Sequence, residues 1–230
     1  MKTIGLIGGM SWESTVTYYG IINEAVKERL GGLNSAKILL YSVNFEEIEK
    51  RQSSGAWDEC AEILGEAARK LEEAGADFII ICTNTMHKIA PQMQDMISIP
   101  IVHIAEATAD ELKKRGIRKV ALLGTKYTMT QDFYRGKLVD AGLEVLIPDE
   151  TAVTMINDVI FGELCLGVLK DESKQAYLQE IEKLHARGAE GVILGCTEIG
   201  LLIKQEDLKI PVFDTTLIHA KKAAEMALEE

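Results

Sequence analysis

The chain has 230 residues, 47% of them hydrophobic and 27% charged, with 25 basic against 36 acidic side chains and a net charge of −11. That composition supports one large domain or two small ones with a real core, and it excludes a disordered polymer. The negative balance argues against a phosphate-binding surface for nucleic acid, and no apolar run nears the roughly 18 residues of a membrane span.

The N-terminal stretch Met1-Lys-Thr-Ile-Gly-Leu-Ile-Gly-Gly9 lacks the longer apolar run and small-residue cleavage site of a signal peptide. It reads as a first strand, Thr3–Ile7, and the cytoplasm is the expected compartment. A second strand is predicted at Lys37–Val43. Trp57, Cys60, Ala61, Leu64, Ala68 and Leu71 then recur at three- and four-residue steps, with Glu59, Glu62, Glu66, Arg69, Lys70 and Glu73 on the other face. This pattern predicts an amphipathic helix over 57–74, closed by Gly75. Strands are predicted next at Phe78–Cys82, Pro100–His103, Val120–Leu123 and Glu144–Ile147. Lys174–Arg187 repeats the helical device and ends at Gly188, ahead of strands at Gly191–Leu194 and Pro211–Phe213. Several strands are continuously apolar, as strands covered on both faces should be. The alternation predicts an α/β protein with parallel sheets flanked by helices.

An internal repeat organises these elements. Leu71-Glu-Glu-Ala-Gly-Ala-Asp-Phe-Ile-Ile-Ile-Cys-Thr-Asn-Thr85 superposes without gaps on Leu184-His-Ala-Arg-Gly-Ala-Glu-Gly-Val-Ile-Leu-Gly-Cys-Thr-Glu198. Thr3-Ile-Gly-Leu-Ile-Gly8 also matches Lys119-Val-Ala-Leu-Leu-Gly124, and Ile99-Pro-Ile-Val-His103 matches Ile210-Pro-Val-Phe-Asp214. Three matches in one order imply two pseudo-symmetric lobes, expected at 1–98 plus 210–230 and at 99–209, with the active site in the cleft between them. The tail after Pro211 is expected to pack on the first lobe as a strand and a helix.

Ligands of open α/β sheets bind beyond the carboxyl ends of the strands. The repeat puts two polar tips there, Cys82-Thr83-Asn84-Thr85 and Gly195-Cys196-Thr197-Glu198. Each is read as the start of a helix, whose free amides suit an anion. Two such tips fit a dicarboxylate, and opposed groups fit proton exchange at one carbon. Cys196 suits a thiolate base whose pKa the helix amides lower. Cys82 ends an apolar strand and is read as packing, as are Cys60 and Cys165. The four cysteines form no C-x-x-C pair, so free thiols are expected, and no ligand cluster suggests a metal.

The Gly8-Gly-Met-Ser11 start, the Thr83-Asn-Thr-Met-His87 tip and the Gly195-Cys-Thr-Glu198 tip together resemble the aspartate/glutamate racemase family. The resemblance spans essentially the whole chain. It implies two lobes, no pyridoxal phosphate or other cofactor, and one catalytic group on each face of the substrate α-carbon. Most members carry Cys-Asn-Thr-x-His in the first lobe, whereas Thr83 stands here at the cysteine position. That departure, with Trp12, Glu13 and Glu163-Leu-Cys-Leu-Gly167, looks like the branch described as L-aspartate/glutamate-specific racemases. Many aspartate racemases have a substrate-binding lysine where Cys165 aligns. By resemblance, Cys196 is the principal acid/base and Thr83 holds the opposite position. Asn84, Thr85 and Thr197 would bond the α-carboxylate, and Met10, Gln52, Thr125 and Thr128 would line the pocket. Cys82, His87 and Glu198 are supporting residues: His87 orients the first tip or is structural, and Glu198 orients Cys196 or takes its proton. His103 and Asp214 are read as structural, and His185 and His219 as helix-surface residues.

The expected partner is a small acidic amino acid, with neither nucleic acid nor membrane. The acidic surface with Trp12, Trp57, Tyr18 and Tyr19 permits a homodimer. Two alternatives keep the fold: an isomerase or decarboxylase of a related diacid, and an amino-acid-binding protein without catalysis. A nucleotide-binding loop is rejected, because Gly5-Leu-Ile-Gly-Gly-Met10 lacks both Gly-x-Gly-x-x-Gly and Gly-Lys-[Ser/Thr].

Overall fold

The computed structural model describes residues 1–229. Among these, seven strands make two parallel sheets: β1 (Thr3–Gly8), β2 (Lys37–Ser42) and β3 (Phe78–Ile81) in the order β2-β1-β3, and β4 (Lys119–Gly124), β5 (Glu144–Leu146), β6 (Gly191–Gly195) and β7 (Val212–Asp214) in the order β5-β4-β6-β7. The α/β class with parallel sheets and flanking helices is thus observed. No helix among the described residues is long and apolar enough to cross a membrane.

The chain divides into two compact units, Met1–His103 with the segment from His219 onward, and Ile104–Ile218. Two local pairings move the boundaries away from those expected from sequence. Ile101 bridges Ile79, which keeps 99–103 in the first unit and reduces the expected strand Pro100–His103 to a single bridge. β7 does not join the first lobe: it pairs with β6 in the second unit, where the Val192 amide donates to the Pro211 carbonyl at 2.9 Å. β6 is buried throughout, and its open side needs a parallel partner for its backbone groups.

The duplication extends to individual side chains. Gln94 accepts from the Ile101 amide and donates to the Ile99 carbonyl, and Gln205 does the same for Val212 and Ile210. Asp77 accepts the Thr3 amide at the start of β1, while Glu190 accepts the amides of Arg118 and Lys119 at the start of β4. The helices Trp57–Glu73 and Asp171–Ala186 both run into a glycine of positive φ, Gly75 at 96° and Gly188 at 98°. That left-handed turn, open to glycine without cost, lets the Ala76 and Ala189 amides bond back to the carbonyls of Leu71 and Leu184 and aims the chain into β3 and β6.

Period-two alternation splits the core of the first unit across its sheet. Ile79 and Ile81 of β3 join Ile7 and the helix Trp57–Glu73 through Leu64, Ala68 and Leu71. Phe78 and Ile80 join Ile4, Leu6, Tyr18, Ile22 and the alanines 220, 223, 224 and 227 of the helix Thr215–Leu228. In the second unit, Leu122, Ile193, Phe213, Tyr134 and Tyr177 belong to one continuous cluster.

Candidate active site

In the first unit, the residues expected at the site lie in the segments that follow the carboxyl ends of β1, β2 and β3. After β1, Ser11 caps the helix Trp12–Leu30 by accepting the Ser14 amide, and Thr15 Oγ1 accepts the Gly9 amide at 2.8 Å. Ser14 Oγ donates to the Cys82 carbonyl at 2.9 Å and so ties this loop to the tip after β3. Met10 is buried in the loop, and Gln52 is buried in the helix Phe45–Ser54 that follows β2. Asn84 and Thr85 are buried, and Thr83 is half-buried beside them. Cys82 is fully buried on the Phe78/Ile80 side of the sheet, and burial pushes its thiol far up.

His87 is fully buried, and its Nδ1 lies 2.8 Å from the Thr83 carbonyl oxygen. Its ring meets His103 at a centroid distance of 4.7 Å and His219 at 5.4 Å. His219 Nε2 lies 2.8 Å from the Val102 carbonyl oxygen, and its Nδ1 lies 2.9 Å from Tyr18 Oη. Carbonyls only accept, so His219 carries its hydrogen on Nε2 and accepts from the tyrosine at Nδ1. Burial, with His87 adding to it, pushes its pKa down to about 3.

In the second unit, Thr125 follows β4 and caps the short helix Lys126–Thr130. Its Oγ1 accepts the Thr128 amide at 3.3 Å, and the two buried hydroxyls lie 3.2 Å apart. After β6, the Cys196 thiol donates to Glu198 Oε2 at 3.0 Å, and Thr197 Oγ1 donates to the same oxygen at 2.5 Å. Glu198 is buried, whereas Cys196 and Thr197 are half-buried. Burial pushes the Cys196 thiol well up, and the neighbouring Glu198 carboxylate and Cys165 thiol push it further.

This reverses the expectation of a thiolate stabilised by helix amides. The helix after Cys196 runs only from Ile199 to Leu202, and the first tip enters a 3₁₀ turn, Thr85–Ile89. Neither aligns enough peptides to bring a useful positive end to the thiol, and burial next to a carboxylate decides the outcome. The second tip therefore presents a thiol hydrogen-bonded to a buried carboxylate.

The description of one family, Asp/Glu/hydantoin racemase, matches residues 7–223. The chain belongs to that family. It is similar to a Yersinia pestis protein assigned as an Asp/Glu racemase, 53% identical with both chains covered in full and a TM-score of 0.95. It is also similar to an aspartate racemase homologue from Pyrococcus horikoshii OT3, 43% identical over the whole of both chains with a TM-score of 0.87. A broad specificity amino-acid racemase of Bacillus subtilis is 26% identical over 225 residues, 95% of each chain.

Several residues of this racemase-family chain lie elsewhere than the sequence reading puts them. His219 is fully buried rather than on a helix surface. The signal was present, because His219 stands four and eight residues before Ala223 and Ala227 on the apolar stripe of its helix. Tyr18 is core and not surface, and Trp57 lies beneath Lys88, whose ammonium is 3.9 Å from its ring centroid. His185 is half-buried, with Nδ1 at 2.8 Å from the Ala189 carbonyl oxygen. Asp214 does have the structural role read for it: it caps the amides of Thr216 and Leu217, and burial raises its pKa. Cys165 is half-buried in the turn Leu164–Leu166, and Glu163 beside it accepts from Ser173 and Lys170, which hold its carboxyl below the usual range. Ser14, which joins the β1 loop to the β3 tip, has no sequence signal of its own, because a serine in the first turn of a helix resembles an ordinary cap.

Proposed function

We propose that the protein racemises aspartate, glutamate or both without a bound cofactor, with Cys196 serving one face of the α-carbon and Thr83 the other. The family and the named racemase relatives support the reaction class. The observation that carries the residue assignment is the Cys196 thiol bonded to the buried Glu198 carboxylate. A desolvated thiol beside a carboxylate is a poor free thiolate but a good relay. Glu198 takes the thiol proton as Cys196 takes the α-hydrogen, so no isolated thiolate has to persist. The carbanion that forms is neutralised by a proton delivered to the opposite face from the Thr83 hydroxyl, which is replenished from water while Glu198 returns its proton to solvent. Asn84, Thr85 and Thr197 hold the α-carboxylate, whose charge grows as the carbanion delocalises into it. Met10, Gln52, Thr125 and Thr128 complete the pocket.

Because an alcohol gives up its proton far less readily than a thiol, the two directions are kinetically unequal. The L-enantiomers take up deuterium from solvent quickly and return largely as the L-form, while the D-enantiomers exchange slowly. Equilibrium still requires an equal final ratio. Proton NMR of L- and D-aspartate and glutamate in deuterated water, with no added cofactor, tests this. Absence of exchange in all four, or exchange that stops with carbonyl reagents and returns with pyridoxal phosphate, overturns it.

The same reading includes a cytoplasmic homodimer. Trp12, Val16 and Tyr19 are 65%, 60% and 54% exposed at helical spacing on one face of the helix Trp12–Leu30, which supports a self-association surface. A monomer by light scattering at micromolar concentration refutes that part alone.

A further inference from the structure

Thr83 lies two residues before the 3₁₀ turn Thr85–Ile89, in which the His87 amide bonds to the Asn84 carbonyl at 3.1 Å. That bond takes the backbone donor which, in an α-helix, would have gone to the Thr83 carbonyl. The His87 side chain fills the gap, with Nδ1 2.8 Å from the Thr83 oxygen. In the second unit, the Cys196 carbonyl needs no such substitute, because the Ile199 amide reaches it at 3.2 Å.

The duplication sharpens the contrast. In the register of the repeat, His87 aligns with Gly200 and His103 aligns with Asp214. Two imidazoles stand 4.7 Å apart in the first unit, where the second has a bare glycine. A Cβ on Gly200 would meet Asp214 Oδ2 at 2.8 Å, so the carboxylate occupies the place a side chain would need. The first unit adds His219 and Tyr18 to the same buried group, at 5.4 Å from the His87 ring and 2.9 Å from His219 Nδ1. Only the tip that carries an alcohol in place of a thiol is backed by this assembly.

We propose that His87 is the positioning residue of the Thr83 tip, its hydrogen placed on Nδ1 by the Thr83 carbonyl and its ring packed against His103 and His219, the latter fixed in turn by Tyr18. The donated hydrogen bond fixes the Thr83–Asn84 peptide. In a trans peptide the N–H points opposite to the C=O, so pinning the carbonyl toward His87 turns the Asn84 amide away from it. Polarising the carbonyl also strengthens that amide as a donor. The inference rests on the proposed role of Thr83, and its experiment separates the two.

The first measurement needs no variant: nitrogen-15 NMR of the imidazoles in the wild-type protein at pH 7. It reads the Nδ1–H tautomer at His87, and an Nε2–H tautomer overturns the proposal. The second follows L-aspartate in deuterated water with His87→Leu and His87→Asn, the asparagine amide nitrogen standing where Nδ1 stood. Appearance of the D-form, relative to deuterium in recovered L-form, falls about tenfold in H87L, the rate equivalent of one ordinary hydrogen bond. H87N recovers most of it. Equal loss of both signals, or an asparagine no better than leucine, refutes the positioning role. Should H87L fail to fold, the tautomer decides. A wild-type protein that takes up no deuterium refutes the Thr83/Cys196 reaction instead, and leaves the tautomer reading to stand or fall separately.

Discussion

Gly124→Ala perturbs the second unit directly beneath the Cys196 tip. A Cβ on Gly124 would lie 2.9 Å from the Gly195 carbonyl oxygen and 3.2 Å from both its carbon and Thr128 Cβ. Two of these contacts are backbone, which cannot swing aside as a flexible side chain would. The ends of β4 and β6 must therefore separate by several tenths of an ångström, and Gly195 immediately precedes Cys196. Overpacking of this kind costs about 2 kcal/mol, or about 4–8 °C in Tm for a chain of this size. Displacement of the tip lowers α-hydrogen exchange by a further 10- to 100-fold on the order-of-magnitude scale for misplaced catalytic groups. Gly20→Ala is the control: it lies within the helix Trp12–Leu30 with no heavy atom within 4 Å of a new Cβ, and gains about 0.5–1 kcal/mol. Calorimetry and deuterium uptake from L-aspartate measure both variants. A Gly124→Ala protein that keeps its Tm and its exchange rate refutes the claim that bare backbone sets the spacing of β4 and β6.

The remaining expectations concern single groups. Cys196→Ala loses exchange by several orders of magnitude while still binding substrate, and Cys82→Ala is mild; comparable losses would place the first tip one residue out of register. Glu198→Gln has opposite effects on two readouts: it removes a charge that raises the Cys196 pKa, so iodoacetamide modifies Cys196 faster, yet α-hydrogen exchange falls about 10²–10⁴-fold with loss of the proton acceptor. Slower modification and unchanged exchange would remove Glu198 from the relay. Thr83→Cys brings the exchange rates of the two enantiomers closer together, and a persistent gap would show that the alcohol is not its cause. His219 has a folded pKa of about 3 against an ordinary 6.5, so the unfolded chain binds the extra proton between those values. Its stabilising contribution is full above pH 6.5 and is lost as pH falls toward 3, which amounts to about 2 kcal/mol between pH 7 and 5. Urea unfolding at the two pH values should show that slope, and His219→Gln should flatten it.

The alternation of apolar runs with amphipathic helices was legible in the sequence, because both depend on local periodicity. Gly75 and Gly188 marked the helix ends for the same reason. The repeat was legible too, and followed further it would have placed β7 correctly, since Ile99–His103 follows β3 as Ile210–Asp214 follows β6. What escaped were outcomes decided by distant side chains. Pro100–His103 has the composition of a strand, yet only Ile101 pairs, with Ile79, whereas the matching segment, with the same two glutamine bonds, forms β7; nothing in the local sequence separates the two outcomes. The sequence places Cys196 at a strand end beside Thr197 and Glu198, yet spacing says nothing of how much water reaches the thiol. Burial reverses the direction of its pKa. The imidazole group joins residues 87, 103 and 219, more than 100 positions apart at its extremes, and no local pattern links them.

The helix Thr215–Leu228 has a consequence for biosynthesis. Its alanines share a cluster with Ile4, Leu6, Tyr18 and Ile22, and the Lys2 amide donates to the Ala227 carbonyl at 2.9 Å. The unit that is begun first is thus finished last, whereas the second unit, Ile104–Ile218, is a single uninterrupted stretch. On the ribosome the second unit is therefore complete in sequence before the first, against the usual N-terminal-first order. Ile104–Ile218 can close its core while Ile4, Leu6, Phe78 and Ile80 still lack the alanine face that covers them. The oldest apolar residues of the nascent chain therefore wait for almost the last ones made before that face of their sheet is covered.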